Sequence, residues 1–212
     1  MSIDNIDDAN YIEFYKYVDS NFLVRVFQIF KYKFILKIPR YVRKNSSIID
    51  VGCGSGKFLA NMKRYGYTNL CGIDLDDTAF HNHNASDIAF IKQSITEDCN
   101  VSSEVVFVQS VLHHIPTGKL VKVADNLSKM VNNQGYLLIY EPNIKSYCGI
   151  LFYKYFLRLL PRLYKEAEKE FPEHIEFCEV FPKFIELLKN KGFRLISSSD
   201  WAFYNAFIFI KN

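Results

Sequence analysis

Residues 47–56 read Ser-Ile-Ile-Asp-Val-Gly-Cys-Gly-Ser-Gly. The run opens apolar and closes on alternating glycines at Gly52, Gly54 and Gly56. A short apolar run that ends at glycines is a buried strand delivered into a tight turn. Glycine lets the backbone turn sharply and leaves room for a ligand against the main chain. Lys57 to Tyr65 then carries apolar residues at helical spacing and stops at Gly66. Strand, glycine loop and helix in this order present helix N–H groups and a partial positive charge to an anionic ligand group.

Three glycine patterns compete for this loop. The phosphate-binding pattern G-x-x-x-x-G-K-[ST] needs glycine where Val51 stands and Ser or Thr where Phe58 stands, so it fails twice. The dinucleotide pattern G-x-G-x-x-G fails once, at Lys57. The pattern acidic-x-G-x-G-x-G, starting at Asp50, matches at every position. An acidic residue is expected at the end of the next strand to accept hydrogen bonds from ribose hydroxyls, and Asp74 stands there.

Outward from the loop the chain alternates in type. Strands are expected at Asn69–Asp74, Ile88–Lys92, Val105–Gln109 and Tyr136–Tyr140. A helix is expected from Pro116 to about Asn132, ended by the turn Asn132-Asn133-Gln134-Gly135. This alternation builds a mostly parallel sheet covered on both faces. Later, Phe181–Asn190 reads as an amphipathic helix, and Phe193–Ser199 and Trp201–Ile210 read as two antiparallel strands. Residues 10–38 and 144–165 read as helical.

The 212 residues are 49% hydrophobic and 23% charged, which excludes a disordered chain and allows a large core. The formal charge of +3 is too small to argue for nucleic acid. The five cysteines form no C-x-x-C pair, so neither a disulfide framework nor a zinc site is expected, and a reducing compartment fits. Asp4, Asp7, Asp8 and Glu13 precede the first basic residue, Lys16, against a signal or transit peptide. No apolar run approaches ~18 residues, so no transmembrane helix is expected. A cytoplasmic location follows as the expectation.

Here the chain resembles the class I S-adenosylmethionine-dependent methyltransferases, from about Ser47 to Asn143, and most closely their small-molecule, ubiquinone-type branch (methyltransferase type 11). The segments Val105-Val-Phe-Val-Gln-Ser-Val-Leu-His-His-Ile-Pro116 and Gly135-Tyr-Leu-Leu-Ile-Tyr-Glu-Pro-Asn143 are similar to that family's fourth and fifth strands and their sequels. The resemblance implies an α/β, Rossmann-like, doubly wound sheet of seven strands in the order 3-2-1-4-5-7-6, with strand 7 antiparallel. N-terminal helices and a helical cap after strand 5 would complete it. It implies a single methyltransferase domain: an N-terminal cap at 1–45, a cofactor-binding core at 46–141, a substrate cap at 142–178, and a last helix with two strands at 179–212.

The resemblance also implies roles. Asp50 would hold the amino group of S-adenosylmethionine, and the backbone at Gly52, Cys53, Gly54 and Gly56 would approach its methionine part. Asp74 would bind the ribose hydroxyls and Leu75 would pack on the adenine. Gln109 would lie near the methionine carboxylate. Where the family often has Asp after strand three, this chain has Ser94. Adenine selection would then lean on Ser94, Ile95 and backbone groups.

Methyl transfer is an in-line displacement in which the protein supplies alignment and a dry pocket. Removal of the acceptor's proton calls for a base near neutral pKa, which favours histidine. His113 and His114 follow strand four, at the sheet edge where open α/β folds bind ligands. By the resemblance His114 is the preferred base. Glu141, at the end of strand five, is a second candidate, as base or as substrate acceptor. His174 is expected on the cap, within reach of the pocket, with a surface role the first reading. His81 and His83 lack a third ligand at metal spacing.

No acidic residue lies between Asn21 and Ile49 or between Asn143 and Lys165, and both stretches interleave basic and aromatic residues. They read either as amphipathic helices with solvated basic faces, or as an electropositive, aromatic entrance for an anionic or amphipathic small-molecule acceptor. O-methylation of a sugar or glycan precursor is the first expectation. Lipid or quinone acceptors at a membrane surface, a non-catalytic S-adenosylmethionine-binding protein and a nucleotide-dependent oxidoreductase stay open. Nucleic acid is disfavoured, and a monomer or homodimer is expected.

Overall fold

The computed structural model describes residues 29–77, 87–146, 151, 161–201 and 204–212. Most of the expected N-terminal helical stretch, much of 144–165, and His81 and His83 lie outside the described residues.

The sheet contains β1 (Ser47–Val51), β2 (Asn69–Asp74), β3 (Ala89–Lys92), β4 (Ser103–Gln109), β5 (Val131–Pro142), β6 (Phe193–Trp201) and β7 (Tyr204–Lys211). Its order is 3-2-1-4-5-7-6. β1 to β5 pair in parallel, and β7 runs antiparallel to both β5 and β6. The helices are α1 (Ile38–Tyr41), α2 (Lys57–Arg64), α3 (Leu120–Met130) and α4 (Pro161–Asn190). A π-helical turn at Lys31–Ile35 precedes α1. Class and topology are those expected.

Side-chain alternation along β1 shows why the sheet is covered twice. Ile49 and Val51 join one core with Val106, Val108, α3 and the aromatic side of α4. Ile48 joins the other core with Leu36, Ile38, Leu59, Met62 and Phe107. Successive strand residues point to opposite faces, so a strand apolar at consecutive positions must be buried on both. The start of β4 is clamped to β1. Ser103 Oγ donates to the Ser47 carbonyl at 2.7 Å, and Glu104 Oε2 accepts from the Ser47 N–H at 3.0 Å.

Three local expectations are corrected. β5 begins at Val131, ahead of the turn residues Asn132–Gly135, because Val131 pairs with Ser103 and the ladder resumes at Val105–Tyr136 after a register shift. Gln134 absorbs the irregularity with φ of +61°. The expected helix from Pro116 begins as a separate 3-10 turn at Thr117–Lys119, and α3 proper starts at Leu120. α4 extends far upstream of Phe181 and continues through Pro172 and Pro182. Each proline removes one backbone donor. The buried face formed by His174, Phe177, Phe181, Phe184 and Leu188 keeps the helical period across Pro182.

Asn126 was not singled out by sequence, yet it fastens α3 to the loop after β3. It is fully buried, and its Nδ2 donates to the carbonyls of Ile95 and Glu97, each at 2.6 Å. Asn126→Ala leaves both carbonyls without this donor. It should lower unfolding free energy by roughly 2–3 kcal/mol, measured by urea denaturation. An unchanged midpoint would show that the loop satisfies those carbonyls otherwise.

Candidate active site

The site is assembled on the carboxyl edge of β1, β2, β4 and β5. The loop from β1 into α2 takes left-handed conformations at all three alternating glycines, with φ of +68°, +49° and +70° at Gly52, Gly54 and Gly56. The N–H groups of Gly52 and Cys53 both donate to the Ile73 carbonyl, at 2.7 and 3.1 Å, and fold the loop back onto β2. The Gly54 N–H donates to Asp74 Oδ2 at 2.7 Å, while Asp74 Oδ1 accepts from the Asp76 N–H at 3.2 Å. Val111 packs so closely over Gly52 that a Cβ there would lie 2.2 Å from its Cγ2. Ser55, between two of the glycines, is buried, and its Oγ has no hydrogen-bond partner among the described residues.

Next to the loop stands a chain of polar side chains. Asp50 ends the second-last position of β1 and is buried. Gln109, the last residue of β4, donates from Nε2 to Asp50 Oδ1 at 3.3 Å. Its Oε1 accepts from Lys31 Nζ at 3.1 Å. Burial pushes the Asp50 carboxyl up to about 7, against the lowering effects of Gln109 and Lys31. Burial likewise pushes the Lys31 ammonium down to about 8, although Asp50 favours its charge. Tyr140, opposite Gln109 on β5, is buried beneath Lys31, and its hydroxyl has no hydrogen-bond partner among the described residues.

Beyond β4 the chain turns at Ser110, whose φ is +54° and whose N–H donates to the Tyr140 carbonyl at 2.8 Å. The following 3-10 turn, Leu112–His114, is held by Glu141. Glu141 Oε1 accepts from the N–H groups of Val111 and Leu112, each at 2.9 Å, and Oε2 lies 2.7 Å from His113 Nδ1. The His113 and Glu141 side chains are 2% and 1% exposed. His114 is 45% exposed, with Nδ1 at 3.1 Å from Glu173 Oε2 of α4.

His174, expected at the surface, is buried, with its ring 4.4 Å from that of His113 in a T-shaped contact. The cause is its place on the inner stripe of α4. Burial, then the neighbouring histidines, push its imidazole down to about 3, so it stays neutral.

The remaining expected residues divide. Leu75 is exposed past the end of β2. Ile95 is buried, and the Ser94 hydroxyl lies 2.8 Å from Thr96 Oγ1 and accepts from the Thr96 N–H at 3.1 Å. The Cys53 side chain is turned inward against Gly72 and Leu59. On the other side of Glu141 a cleft of about 240 Å³ opens among Asn143, Lys145, Phe177, Phe181 and Asn205.

The family described as a methyltransferase domain matches residues 26–198, which includes the whole of this sheet edge. The chain belongs to that family, within the class I S-adenosylmethionine-dependent methyltransferases. The fold is similar to that of the N-methyltransferase NodS from Bradyrhizobium japonicum, crystallised with S-adenosyl-L-homocysteine. That likeness covers 92% of this chain and 90% of the other at 14% identity, with a TM-score of 0.61. It is also similar to a ribosomal protein L11 methylase from Lactobacillus delbrueckii subsp. bulgaricus, over 84% of this chain and 75% of that one, at 16% identity and a TM-score of 0.56. A 38-residue stretch is 42% identical to EEF1A lysine methyltransferase 2 of Danio rerio, which is 18% of this chain and 16% of that protein's length.

The methyltransferase's own residues fit its cofactor on three counts. The glycine loop has a backbone that a side chain at Gly52 would spoil. Ser55 and Tyr140 hold buried hydroxyls without hydrogen-bond partners among the described residues. Asp50 and Lys31 set an acid and a base at the two ends of one amide.

Gly52→Ala forces both an unfavourable φ and a clash. It should cost about 1–3 kcal/mol or more of stability, with loss of S-adenosylhomocysteine binding in calorimetry. Asp50 gives a pH-dependent test. Its folded pKa is raised, so its contribution to stability is complete below pH ~4 and is lost as pH rises through about 7. Asp50→Asn should match the native protein near pH 4 and exceed it above pH 7, by on the order of a few kcal/mol. Urea midpoints across that range check it, and parallel curves would refute it.

Proposed function

We propose that this methyltransferase carries the methyl group of S-adenosylmethionine to the hydroxyl of a small anionic acceptor, a sugar or glycan precursor in first place. The observation that supports this reading most is the placement of His114. It is an accessible imidazole just past the end of β4, with Nδ1 engaged by Glu173. A carboxylate accepting from Nδ1–H leaves the Nε2 lone pair as the basic site. The cleft bounded by Glu141 supports a hydroxylated acceptor with an anionic group, because Asn143 and Asn205, bonded to each other, and Lys145, paired at 3.2 Å with Glu179, stand along it with the rings of Phe177 and Phe181.

In this reading Asp50 holds the cofactor's amino group, and the backbone of Gly52, Cys53, Gly54 and Gly56 lies along its methionine part. Gln109 faces the methionine carboxylate. Asp74 keeps its bond to Gly54 and uses its remaining lone pairs on the ribose hydroxyls. Leu75 covers the adenine, with Ser94 and Ile95 at its edge. Bound there, the cofactor supplies a methyl group on a sulfonium, ready for in-line displacement.

His114 takes the hydroxyl proton at Nε2 as the acceptor oxygen becomes a nucleophile. Glu141 and His113 act behind it. With its carboxylate occupied by two N–H groups and the His113 ring, Glu141 holds the turn that carries His114. A second reading, a lipid or quinone acceptor at a membrane surface, is favoured by the acid-free, aromatic and basic run from Asn143 to Lys165. Among the described residues no helix is long and apolar enough to cross a membrane.

Release of S-adenosylhomocysteine in the presence of nucleotide sugars and sugar phosphates tests the reading. Native protein should turn over at least one of them. His114→Ala should lower kcat about 10²–10⁴-fold, with unchanged affinity for S-adenosylhomocysteine. Turnover only on quinol-loaded anionic vesicles would favour the second reading. Full activity of His114→Ala would remove it as the base.

A further inference from the structure

Lys31 lies outside the Rossmann-like core, in the π-helical turn that precedes α1, yet its ammonium ends among groups of β1, β4 and β5. It is 3.1 Å from Gln109 Oε1, 4.9 Å from the centroid of the Tyr140 ring and 5.9 Å from that of Phe58. Those partners are an amide oxygen and two ring faces, none of which carries a full negative charge. A half-buried cation set against neutral partners is incompletely compensated for the water it has lost. The Asp50 carboxylate stands on the far side of the Gln109 amide.

The amide fixes the order of charges. Its carbonyl end faces the ammonium and its NH₂ end faces the carboxylate, and a flip would set donor against donor and acceptor against acceptor. The Gln109 amide therefore holds a positive and a negative group apart at this edge, with Lys57 further off on the side of Lys31 and Asp74 on the side of Asp50. That is the complement of an α-amino-acid zwitterion, whose carboxylate would face Lys31 and whose ammonium would face Asp50.

We propose that Lys31 is a cofactor-binding residue that anchors the α-carboxylate of the methionine end, so that the segment before α1 completes the cofactor site. The inference rests on the reading that this sheet edge binds S-adenosylmethionine. A charge-assisted hydrogen bond made in a low-dielectric site is the strong kind. The incoming carboxylate also supplies a counter-charge that the half-buried ammonium, among the described residues, otherwise meets only across the Gln109 amide. Binding of the cofactor and docking of residues 29–42 on the core are then one coupled event.

Two ligands separate this role from a structural one. S-adenosylhomocysteine carries the amino-acid end, and 5′-methylthioadenosine keeps the nucleoside and thioether but lacks that end. In calorimetric titration of the full chain, Lys31→Met should weaken S-adenosylhomocysteine about 10–100-fold and leave 5′-methylthioadenosine within two-fold of native. Lys31→Arg should recover most of the loss. Unchanged or tighter binding of S-adenosylhomocysteine by Lys31→Met would overturn the proposal, because the ammonium would then be a bystander or an obstacle. Equal weakening of both ligands would also overturn it, because Lys31 would then act through the fold. If native protein bound neither ligand, the cofactor reading of the edge would fail first and the inference with it.

Discussion

The hydrogen bond from the Gly54 N–H to the Asp74 carboxylate joins the ends of β1 and β2, and the shape of the ligand edge depends on it. Hydrogen bonds to a charged acceptor contribute about 1.5–3 kcal/mol, enough to favour one conformation of the short loop between β1 and α2. The bond can form only because Gly54 is left-handed and because β1 and β2 pair in parallel with Val51 beside Ile73. It also depends on Gly72. A Cβ there would stand 2.6 Å from Cys53 Sγ, and the loop could not seat. One backbone donor thus ties a loop glycine to a carboxylate on β2, and the fit depends on a second glycine within β2.

The pleat then divides the chemistry. Asp50, Gln109 and Tyr140 occupy successive strands beneath Lys31, on the side of the sheet that packs against the N-terminal segment and α2. Glu141, the next residue after Tyr140, reaches the other side, where His113 and His174 lie beside the aromatic stripe of α4. The groups proposed to hold the cofactor and the groups that shape the turn beside them are therefore kept in separate environments. His114 alone of the three clustered histidines is strongly exposed at this boundary.

The central sheet was legible because its signals are local. β1 and β2 are apolar runs closed by glycines and an acid, and their limits agree with expectation to the residue. The glycine loop was legible for the same reason. Lys31 was not, since its role depends on a contact across 78 residues of chain, and in sequence it is one of several lysines and arginines in an acid-free stretch. The burial of His174 was not legible, because it depends on the inner stripe of α4, which continues past Pro182, and on the packing of that stripe against His113. The occupation of Glu141 was equally hidden. A carboxylate at a strand end looks the same in sequence whether it faces a substrate or two backbone N–H groups.

Cys53 sits in the middle of the glycine loop, where a reactive sulfur would be a weak point. Its side chain is turned inward against Leu59 and Gly72, and burial, together with the carboxylates of Asp50 and Asp74, pushes its thiol well above the ordinary range. Only the thiolate attacks electrophiles or is oxidised readily. The same inward rotation that lets the loop lie close to β2 therefore passivates the sulfur, and peroxide or alkylating agents find no nucleophile at this turn.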